Sequence, residues 1–426
     1  MTNSGERLSA MTKINPQIAV SLLTGGADRP YVFGLATALM AQPVVLDLVG
    51  SDDLDCPEMH GKPAVRFLNL RGSQRSDVGI GKKAVRVLRY YAKLIHYTAT
   101  ARPKIYHILW NNKFEAFDRT LLMLYYKLLG KKVVFTAHNV NAGKRDANDW
   151  LLNRWTLRVQ YCLCDRIFVH TENMKAEMIT EFGIRQSRIT VIPFGMNNAV
   201  PNTSLQTAEA KKRLGVGEDE RTILFFGNIT PYKGIEYLIA AFQGLVQRGG
   251  NYRLVIAGKP DKCVEYWRRI REMVAASQAS NRIHVRAKFI PDEETEIYFK
   301  AADVLVLPYT HVYQSGVLLL GYSFGLPVLA ADVGSLKDDI IEGETGFIFK
   351  PENSGDMAST IERYFASDLF KELDSRRRQV RDYAAQRHSW DTVAEITVNA
   401  YRALLTSKGS AKFEDAGPAH HVKASL

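Results

Sequence analysis

The segment at 225–234, FFGNITPYKG, combines residue types that suit anion binding. An apolar run ends at Gly227-Asn228, and Lys233 stands just before a stretch with helical periodicity. The first turn of a helix exposes unpaired N–H groups and the positive end of its dipole, so a lysine placed there completes an anion site. The G-x-x-x-x-G-K-[ST] pattern of a P-loop is absent. Taken alone, a plain strand–helix turn with a surface lysine remains the simpler explanation.

Two further segments bring glycine to the end of an apolar run. VIAGKP at 255–260 contains Gly258 and Lys259, which an ordinary tight turn would also explain. At 306–325 (VLPYTHVYQSGVLLLGYSFG) the chain opens an uncharged helix, which must be buried. Because glycine lets backbone N–H groups approach a ligand closely, we expect a second anion cradle at the start of this helix, formed by Gln314, Ser315, Gly316 and Val317.

Polar residues also follow apolar runs in the first half of the chain. TGGADRPY (24–31) opens a helix and contains Gly25, Gly26, Asp28 and Arg29. HILWNN (107–112) ends in Trp110, Asn111 and Asn112, an aromatic ring and two amides that suit the ring faces and hydroxyl groups of a sugar. His138 ends another run, although a solitary histidine is more often structural, and His170 and Glu172 are weaker candidates at the end of a later run.

Short apolar runs that alternate with helical stretches must position these loops. In the first half they lie at 18–23, 44–50, 105–110, 132–138, 166–171 and 189–195. In the second half they lie at 221–227, 252–258, 283–289, 303–309, 326–331 and 346–349. Strand–helix alternation predicts mostly parallel sheets with helices on both faces. The predicted fold class is α/β, with two Rossmann-like, doubly wound domains that face each other across a cleft.

A polar break at 196–206 (MNNAVPNTSLQ) divides this pattern in two. We predict a flexible N-terminus at 1–15, an N-terminal Rossmann-like domain at 16–200 and a C-terminal Rossmann-like domain at 201–387. A C-terminal helix at 388–407 is expected to pack back on the first domain, and the polar tail at 408–426 to be disordered. Two doubly wound domains in tandem place a ligand in the cleft, at the carboxyl ends of the strands.

The composition excludes several classes of protein. With 426 residues, 46% of them hydrophobic and 24% charged, the chain has the make-up of a soluble globular protein of more than one domain. No stretch resembles a membrane span, and the polar N-terminal residues lack the apolar run of a signal peptide. The four cysteines show no metal-ligand spacing. We therefore expect a cytoplasmic protein with structural thiols in a reducing compartment.

The net charge of +11 lies entirely in residues 1–200, which hold 27 Lys and Arg against 16 Asp and Glu. Within them, 82–104 (KKAVRVLRYYAKLIHYTATARPK) is basic and amphipathic at helical spacing. A packed helix with a solvated basic face would explain this segment, and so would contact with an anionic membrane surface. No nucleic-acid-binding motif accompanies it, so nucleic acid is not expected as a partner. The membrane interpretation predicts peripheral attachment at the inner face of the cell membrane.

The combination of GNITPYKG, VIAGKP, DEETEIYFKAADVLVLPY and SFGLPVLAADVG resembles the donor domain of retaining GT-B glycosyltransferases of family 4, the glycosyl transferases group 1. The resemblance covers most of the chain, over residues 15–405. It implies transfer of a sugar from a nucleotide-diphosphate sugar to a glycan or lipid-linked acceptor, in surface polysaccharide or glycolipid synthesis. No Asp-x-Asp pair suited to a metal-held diphosphate is present in the sequence, so we expect that neither a metal nor another cofactor is required.

The resemblance further implies a role for each candidate residue. Lys233 and His138 match the catalytic residues, and Gln314 with His138 would contact the donor sugar. The donor nucleotide and diphosphate would be held by Gly227, Asn228, Lys233, Gly258, Lys259, Phe289, Ile290, Ser315, Gly316 and Val317. Gly25 and Gly26 match the family's glycine loop beside the donor and acceptor. From their residue types alone, we expect the acceptor side also to include Asp28, Arg29, Trp110, Asn111 and Asn112.

Two departures from the family pattern keep other interpretations open. Asn228 stands where the family usually has arginine. Neither of the two glutamates that the family commonly carries seven residues apart is present, since their places fall at Leu320 and among Val312 to Gln314. One alternative is a non-catalytic nucleotide- or sugar-binding GT-B protein that acts as the partner of another transferase. A sugar-phosphate-using enzyme and a nucleotide-sugar epimerase are further alternatives on the same fold.

Overall fold

The computed structural model describes residues 17–25, 28–74, 79–145, 149–197, 199–261 and 263–406. The predicted flexible N-terminus at 1–15, the predicted disordered tail at 408–426 and the candidate Gly26 lie outside the described residues.

The N-terminal domain contains a parallel sheet of seven strands in the order β3-β2-β1-β4-β5-β6-β7. The strands are β1 (Ile18–Leu23), β2 (Val44–Gly50), β3 (Val65–Asn69), β4 (Ile105–Ile108), β5 (Lys132–Thr136), β6 (Arg166–Val169) and β7 (Ile189–Val191). The helices are α1 (Arg29–Met40), α2 (Ile80–Thr100), α3 (Glu115–Phe117), α4 (Met123–Leu128), α5 (Ala142–Arg145), α6 (Leu151–Leu163) and α7 (Glu172–Phe182), and a π-helical turn (Asp118–Leu122) joins α3 to α4.

The central strands of this sheet are buried on both faces, as their continuous apolar sequence requires. In β4 all four residues are buried, and alternate residues face two separate hydrophobic cores: Ile105 packs in one, and Tyr106 in the other. The strand order reverses between β1 and β4, so the loops after these two strands flank a crevice at the carboxyl edge of the sheet.

The C-terminal domain contains a parallel sheet of six strands in the order β10-β9-β8-β11-β12-β13. The strands are β8 (Arg221–Phe226), β9 (Tyr252–Ala257), β10 (Ile283–Arg286), β11 (Val304–Leu307), β12 (Val328–Ala331) and β13 (Gly346–Phe349). The helices are α8 (Thr207–Leu214), α9 (Ile235–Gln247), α10 (Val264–Ala276), α11 (Asp292–Ala301), α12 (Gly316–Ser323), α13 (Ser354–Ala366), α14 (Asp368–Lys371) and α15 (Leu373–Arg387), and the chain continues into α16 (Trp390–Thr406). This strand order reverses between β8 and β11, so the Lys233 and Ser315 loops flank the second crevice.

Helix α16 ends the described chain and packs on α1 in the N-terminal domain. Its Tyr401 hydroxyl lies 2.6 Å from Nδ1 of His107 on β4, and Nε2 of His107 lies 2.7 Å from the Thr136 hydroxyl. Burial lowers the pKa of His107 to about 3, so this histidine is neutral at physiological pH. The C-terminal helix is thereby tied to the centre of the first sheet through a buried polar contact.

The α/β fold with two Rossmann-like domains is confirmed, and the element bounds differ from the predicted ones in two ways. Most strands end one to four residues before the apolar run does, because residues such as Leu109 and Trp110 already belong to the loops. Strand β3 was not recognised, since it is a half-exposed edge strand with mixed polarity. Within the described ranges, no helix is long and apolar enough to cross a bilayer.

Candidate active site

A cavity of about 400 Å³ lies between the two domains, where the carboxyl ends of both sheets meet. Helices and loops from both domains contribute to its wall. Eight residues that the sequence singled out line it: Asp28, Trp110, His138, Lys233, Gln314, Ser315, Gly316 and Val317. Candidates from distant parts of the sequence thus share one cavity.

Lys233 is directed inward by the turn that precedes α9. The next residue, Gly234, has φ of +63°, and a Cβ there would lie 2.1 Å from the carbonyl oxygen of Pro308. Only glycine satisfies both conditions. The Lys233 side chain is buried, and its Nζ lies 3.7 Å above the ring centroid of Tyr309. The Tyr309 ring face stabilises the ammonium group by a cation–π contact. Lys233 still forms part of the cavity wall.

The N-terminus of α12 forms the opposite part of the donor-side wall. Ser315 caps the helix, because its Oγ accepts a hydrogen bond from the amide of Leu318. The amide N–H groups of Gly316 and Val317 belong to the first turn, where a helix offers no internal acceptor. They are therefore suited, together with the positive end of the helix dipole, to an anionic group in the cavity.

The glycine loop after β8 packs against this helix start, and the loop after β9 packs against the loop after β8. A Cβ at Gly227 would lie 3.4 Å from Cγ2 of Val317. A Cβ at Gly258 would lie 1.8 Å from the carbonyl oxygen of Gly227, so this contact requires a residue without a side chain. The three glycine-containing segments identified in the sequence are therefore in contact at one edge of the sheet.

His138 lies on the N-domain side of the cavity between two aromatic rings. Trp110 stacks on its imidazole, with ring centroids 3.9 Å apart and planes 9° from parallel. The Tyr31 ring meets the same imidazole edge-on at 4.6 Å. Since aromatic rings pack against the imidazole on two sides, it has little freedom to rotate.

Hydrogen bonds determine which nitrogen of His138 carries the proton. Nδ1 of His170 lies 3.3 Å from the carbonyl oxygen of Ile192, which can only accept, so this nitrogen is the donor. Nε2 of His170 is then an acceptor, and His138 Nδ1, 3.1 Å away, must donate to it. Burial lowers the pKa of His170 to about 4 and holds that of His138 well below its usual range. His138 is therefore neutral, with a lone pair on Nε2.

A ring nitrogen and an amide oxygen at the cavity are left without a partner. Nε2 of His138 and Oε1 of Gln314 are both buried, and neither finds a hydrogen-bond partner among the residues that the structure describes. Both atoms are acceptors, so each calls for a donor from a bound molecule. The hydroxyl groups of a ligand would supply such donors. Lys233 and the α12 amides would bind an anionic group of the same ligand. The cavity is thus suited to a ligand that is both hydroxylated and anionic.

The remaining acceptor-side candidates have structural partners. Asn111 exchanges amide hydrogen bonds with Gln160, the shorter at 2.7 Å, and the backbone N–H of Asn112 donates to Asp118 Oδ2 at 2.6 Å. Gly25 packs against the backbone of Trp110.

Arg29 reaches across the cleft to Asp292 at 3.6 Å, and burial raises the pKa of the neighbouring Asp28. Of the acceptor-side candidates, Asp28 and Trp110 line the cavity. Asn111 and Asn112 instead hold the loop after β4 in place.

Besides Gly227 and Gly258, four donor-side candidates do not line the cavity. Asn228 and Lys259 are exposed, the Phe289 side chain is 68% exposed, and Ile290 is buried in the core of its domain. Phe289 and Ile290 were singled out for their backbone, and they immediately precede Pro291 and α11 at the carboxyl edge of the sheet. The side chains of these four residues therefore contribute nothing to the cavity wall as it stands.

Trp390 was missed in the sequence and forms part of the cavity wall. Its indole fits between two glycines, since a Cβ at Gly34 or at Gly195 would lie 2.2 Å from the ring. Its Nε1 donates to the carbonyl oxygen of Met196 at 2.8 Å. The pairing spans nearly two hundred positions of the chain, so the only sequence signal was a tryptophan that begins the C-terminal helix.

No group of three or more His, Cys, Asp or Glu side chains in the described part of the chain could hold a metal ion. The polar groups at the cavity include Lys233, Asp28, the side chains of His138 and Gln314 and the α12 amides.

Two family profiles match the chain. The profile described as glycosyl transferases group 1 matches residues 206–387, and the profile described as Glycosyltransferase Family 4 matches residues 24–199. A D-inositol 3-phosphate glycosyltransferase of Acidothermus cellulolyticus is 29% identical over 256 residues, which are 58% of this chain and 55% of that protein. The chain thus spans little more than half the length of this curated relative.

Solved structures with the same fold include a protein in complex with UDP and glucose. The sucrose-phosphate synthase of Thermosynechococcus elongatus aligns with a TM-score of 0.72 at 19% identity, over 92% of this chain and all of that chain (100%). HepE of Anabaena, in complex with UDP and glucose, aligns with a TM-score of 0.69 at 16% identity, over 91% of this chain and 100% of that chain. At these identities the likeness establishes the fold.

Proposed function

The chain belongs to the group 1 glycosyltransferases of the GT-B fold, and from this we propose that it moves a sugar from a nucleotide-diphosphate sugar to a glycan or lipid-linked acceptor, with retention at the anomeric carbon. The synthesis of a surface polysaccharide or glycolipid is the process that we propose it serves. The proposal rests on one observation above the others: Lys233, the α12 N-terminus and two unpartnered acceptors share one cavity between the domains.

In the proposed complex the diphosphate lies between Lys233 and the amides of Gly316 and Val317. When the bond from the anomeric carbon to the phosphate oxygen breaks, negative charge develops on the leaving diphosphate. The lysine and the helix amides are already oriented toward that charge, and preorganised groups of this kind lower the barrier. The chain supplies this stabilisation with its own groups, and we propose that the reaction needs no metal.

The sugar occupies the part of the cavity near His138 and Gln314 in this proposal. A sugar hydroxyl donates to Nε2 of His138, and another donates to Oε1 of Gln314, which satisfies both unpartnered atoms. Gln314 would then provide a sugar contact in the loop that has lost the family's first glutamate. A neutral amide can accept and donate, but it cannot act as a carboxylate nucleophile.

Retention follows in this scheme without an enzyme nucleophile. The acceptor hydroxyl attacks the anomeric carbon from the face that the diphosphate leaves, and its proton passes to the departing phosphate oxygen. One carbon–oxygen bond breaks, one forms, and the charge on the diphosphate falls by the proton it receives. Burial of His138 between Trp110 and Tyr31 keeps water from this side of the sugar.

A thermal-shift panel of UDP, GDP, ADP and CDP, with and without Mg²⁺, tests the donor assignment. We expect one diphosphate to stabilise the protein, by about 2.7 kcal/mol at a hundred times its dissociation constant. Lys233→Ala should abolish this stabilisation, and Lys212→Ala should not, because Lys212 is exposed on α8 away from the cavity. Equal stabilisation of the Lys233→Ala protein would overturn the diphosphate assignment.

A further inference from the structure

Tyr313 lies on the loop between β11 and α12, one position before Gln314, and its side chain enters the other domain. The ring packs against the N-terminal core that contains Tyr106, Val140 and Tyr161. Among the described residues that pack on this core, Tyr313 alone belongs to the C-terminal domain. The loop that carries Gln314 is thus anchored in the N-terminal domain by the side chain next to it.

The Tyr313 hydroxyl group has polar partners in the N-terminal domain. It donates to Oε1 of Glu177 on α7 at 2.9 Å. Burial and the carboxylate of Glu177 raise the pKa of Tyr313, whereas a hydrogen bond from the backbone N–H of Asn141 lowers it. Because the phenol stays protonated at physiological pH, it can donate to Glu177 and accept from Asn141 at the same time. Two hydrogen bonds and the packing of the ring therefore fix this side chain in the N-terminal domain.

Asn141 lies on the loop after β5, three residues beyond His138. This loop is itself held by a buried contact, since the Tyr161 hydroxyl donates to the carbonyl oxygen of Val140 at 2.6 Å. Tyr313 therefore contacts a rigid support, and the same support carries His138 at the wall of the cavity between the domains.

The backbone of Tyr313 is held in its own domain by the loop after β12. Oγ of Ser335 donates to the carbonyl oxygen of Tyr313 at 2.7 Å. Gly334 has φ of +58°, and a Cβ there would lie 1.8 Å from the carbonyl oxygen of Val312. Only glycine allows both this backbone conformation and this close approach. The backbone of Tyr313 is thus fixed to the C-terminal domain, while its side chain is fixed to the N-terminal domain.

These contacts join the two loops that are proposed to hold the donor sugar. Gln314 and His138 belong to different domains, so the distance between them depends on how the domains are arranged. Tyr313 adjoins Gln314 in the chain, and its hydroxyl group contacts the His138 loop at Asn141. Since a misplacement of about 1 Å can lower a reaction rate by about a hundredfold, a contact that fixes this distance bears on the reaction.

We propose that Tyr313 is a positioning residue, which sets the distance between Gln314 and His138 and thereby the fit of the donor sugar. This inference rests on the proposed function, because it gives Tyr313 a role at the sugar end of that cavity. The diphosphate end depends on Lys233 and on α12, whose buried leucines pack in the core of the C-terminal domain. Binding of a diphosphate alone should therefore not depend on the Tyr313 hydroxyl group.

Calorimetric titration of Tyr313→Phe with two ligands tests this difference. The probes are the nucleoside diphosphate selected from UDP, GDP, ADP and CDP, and the glucose conjugate of the same diphosphate. Loss of one hydrogen bond should weaken binding of the glucose conjugate by about fivefold and change diphosphate binding less than about twofold. The matched control is Tyr237→Phe, which removes a tyrosine–glutamate hydrogen bond to Glu352 within the C-terminal domain and should change neither affinity. Equal effects of Tyr313→Phe on both ligands would overturn the proposal.

Two variants of Glu177 test its part in the contact. Glu177→Gln and Glu177→Leu both remove the carboxylate charge, but only glutamine offers the Tyr313 hydroxyl group an acceptor. The Gln variant should therefore bind the glucose conjugate about fivefold more tightly than the Leu variant. Equal affinities of these two variants would contradict a role for the hydrogen bond between Tyr313 and Glu177.

Hydrogen exchange measured by mass spectrometry tests the contact between the loops without a ligand. In Tyr313→Phe the N–H of Asn141 loses its acceptor, so we expect faster exchange in peptides that cover 137–141 and 308–318. Tyr237→Phe should leave both segments unchanged. Native exchange rates in both segments of Tyr313→Phe would overturn the inference. Faster exchange there, combined with no binding of any nucleoside diphosphate to the native protein, would overturn the proposed function and leave the contact between the loops intact.

Discussion

Replacement of His170 should change the protonated nitrogen of a different histidine. In the native protein, Nδ1 of His138 donates to Nε2 of His170 over 3.1 Å, and His170 is itself fixed by the carbonyl of Ile192. His170→Leu removes the acceptor and leaves a buried N–H unsatisfied, which costs about 1–3 kcal/mol. The least costly response of His138 is to move its proton to Nε2.

The size of the effect follows from that cost. At about 1.4 kcal/mol for each factor of ten, the ratio of the two His138 tautomers should shift by about 5- to 150-fold toward the Nε2–H form. Nε2 then becomes a donor toward the cavity, where the proposed sugar hydroxyl needs an acceptor. The affinity for the nucleotide sugar should fall, while the affinity for the nucleoside diphosphate, which does not reach His138 in the proposed complex, should not.

Long-range ¹H–¹⁵N spectra of histidine-labelled protein measure the tautomer directly, since protonated and bare ring nitrogens have separate ¹⁵N shifts. His170→Gln is the matched control, because its Oε1 can accept from His138 while its Nε2 donates to Ile192. We expect the Gln variant to keep the native His138 tautomer and the Leu variant to lose it. Native protein with the proton on Nε2 of His138 would refute the reasoning.

Two further predictions concern pH and backbone geometry. Burial holds the pKa of His107 at about 3 against 6.5 in the unfolded chain, so the unfolded state takes up the proton first. The contribution of neutral His107 to the free energy of unfolding should be complete above pH 6.5. It should fall by about 1.4 kcal/mol per pH unit as the pH decreases toward 3. Urea titrations should show a shallower loss in His107→Gln, and an equally steep one would contradict this. Gly234→Ala and the control Gly343→Ala both place alanine at positive φ, at about 1–2 kcal/mol each. In thermal-shift assays only Gly234→Ala should lose the stabilisation by nucleoside diphosphate, because its Cβ would clash with the carbonyl oxygen of Pro308. Retained stabilisation in Gly234→Ala would contradict the role of this turn in positioning Lys233.

The donor-side loops were readable from sequence because their chemistry is local. Lys233 stands next to a glycine at a helix start, and Ser315 caps an uncharged helix, so a few adjacent residues carry the whole signal. The strand pattern likewise fixed the α/β class, because strands buried on both faces are continuously apolar. Strand β3 was not predicted, because an edge strand is partly exposed and does not need a continuous apolar sequence.

Features that depend on distant partners could not be read in this way. The sequence predicted that Asn111 and Asn112 could contact a sugar. In the structure Asn111 is hydrogen-bonded to Gln160, and Asn112 to Asp118, and these partners lie far away in the sequence or on another element. Trp390 enters the active-site wall because two glycines far away in the sequence leave room for it. Contacts of this kind arise from the packing of whole elements, which periodicity and spacing do not encode.

A crystal structure with the nucleoside diphosphate that the thermal-shift panel selects would test the central proposal most directly. We predict that the diphosphate lies in the cavity between the domains, in contact with Nζ of Lys233 and with the amides of Gly316 and Val317. We also predict that the space between the diphosphate and His138 is large enough for one sugar. A diphosphate bound elsewhere, or one bound in this cavity without contact to Lys233, would contradict the account.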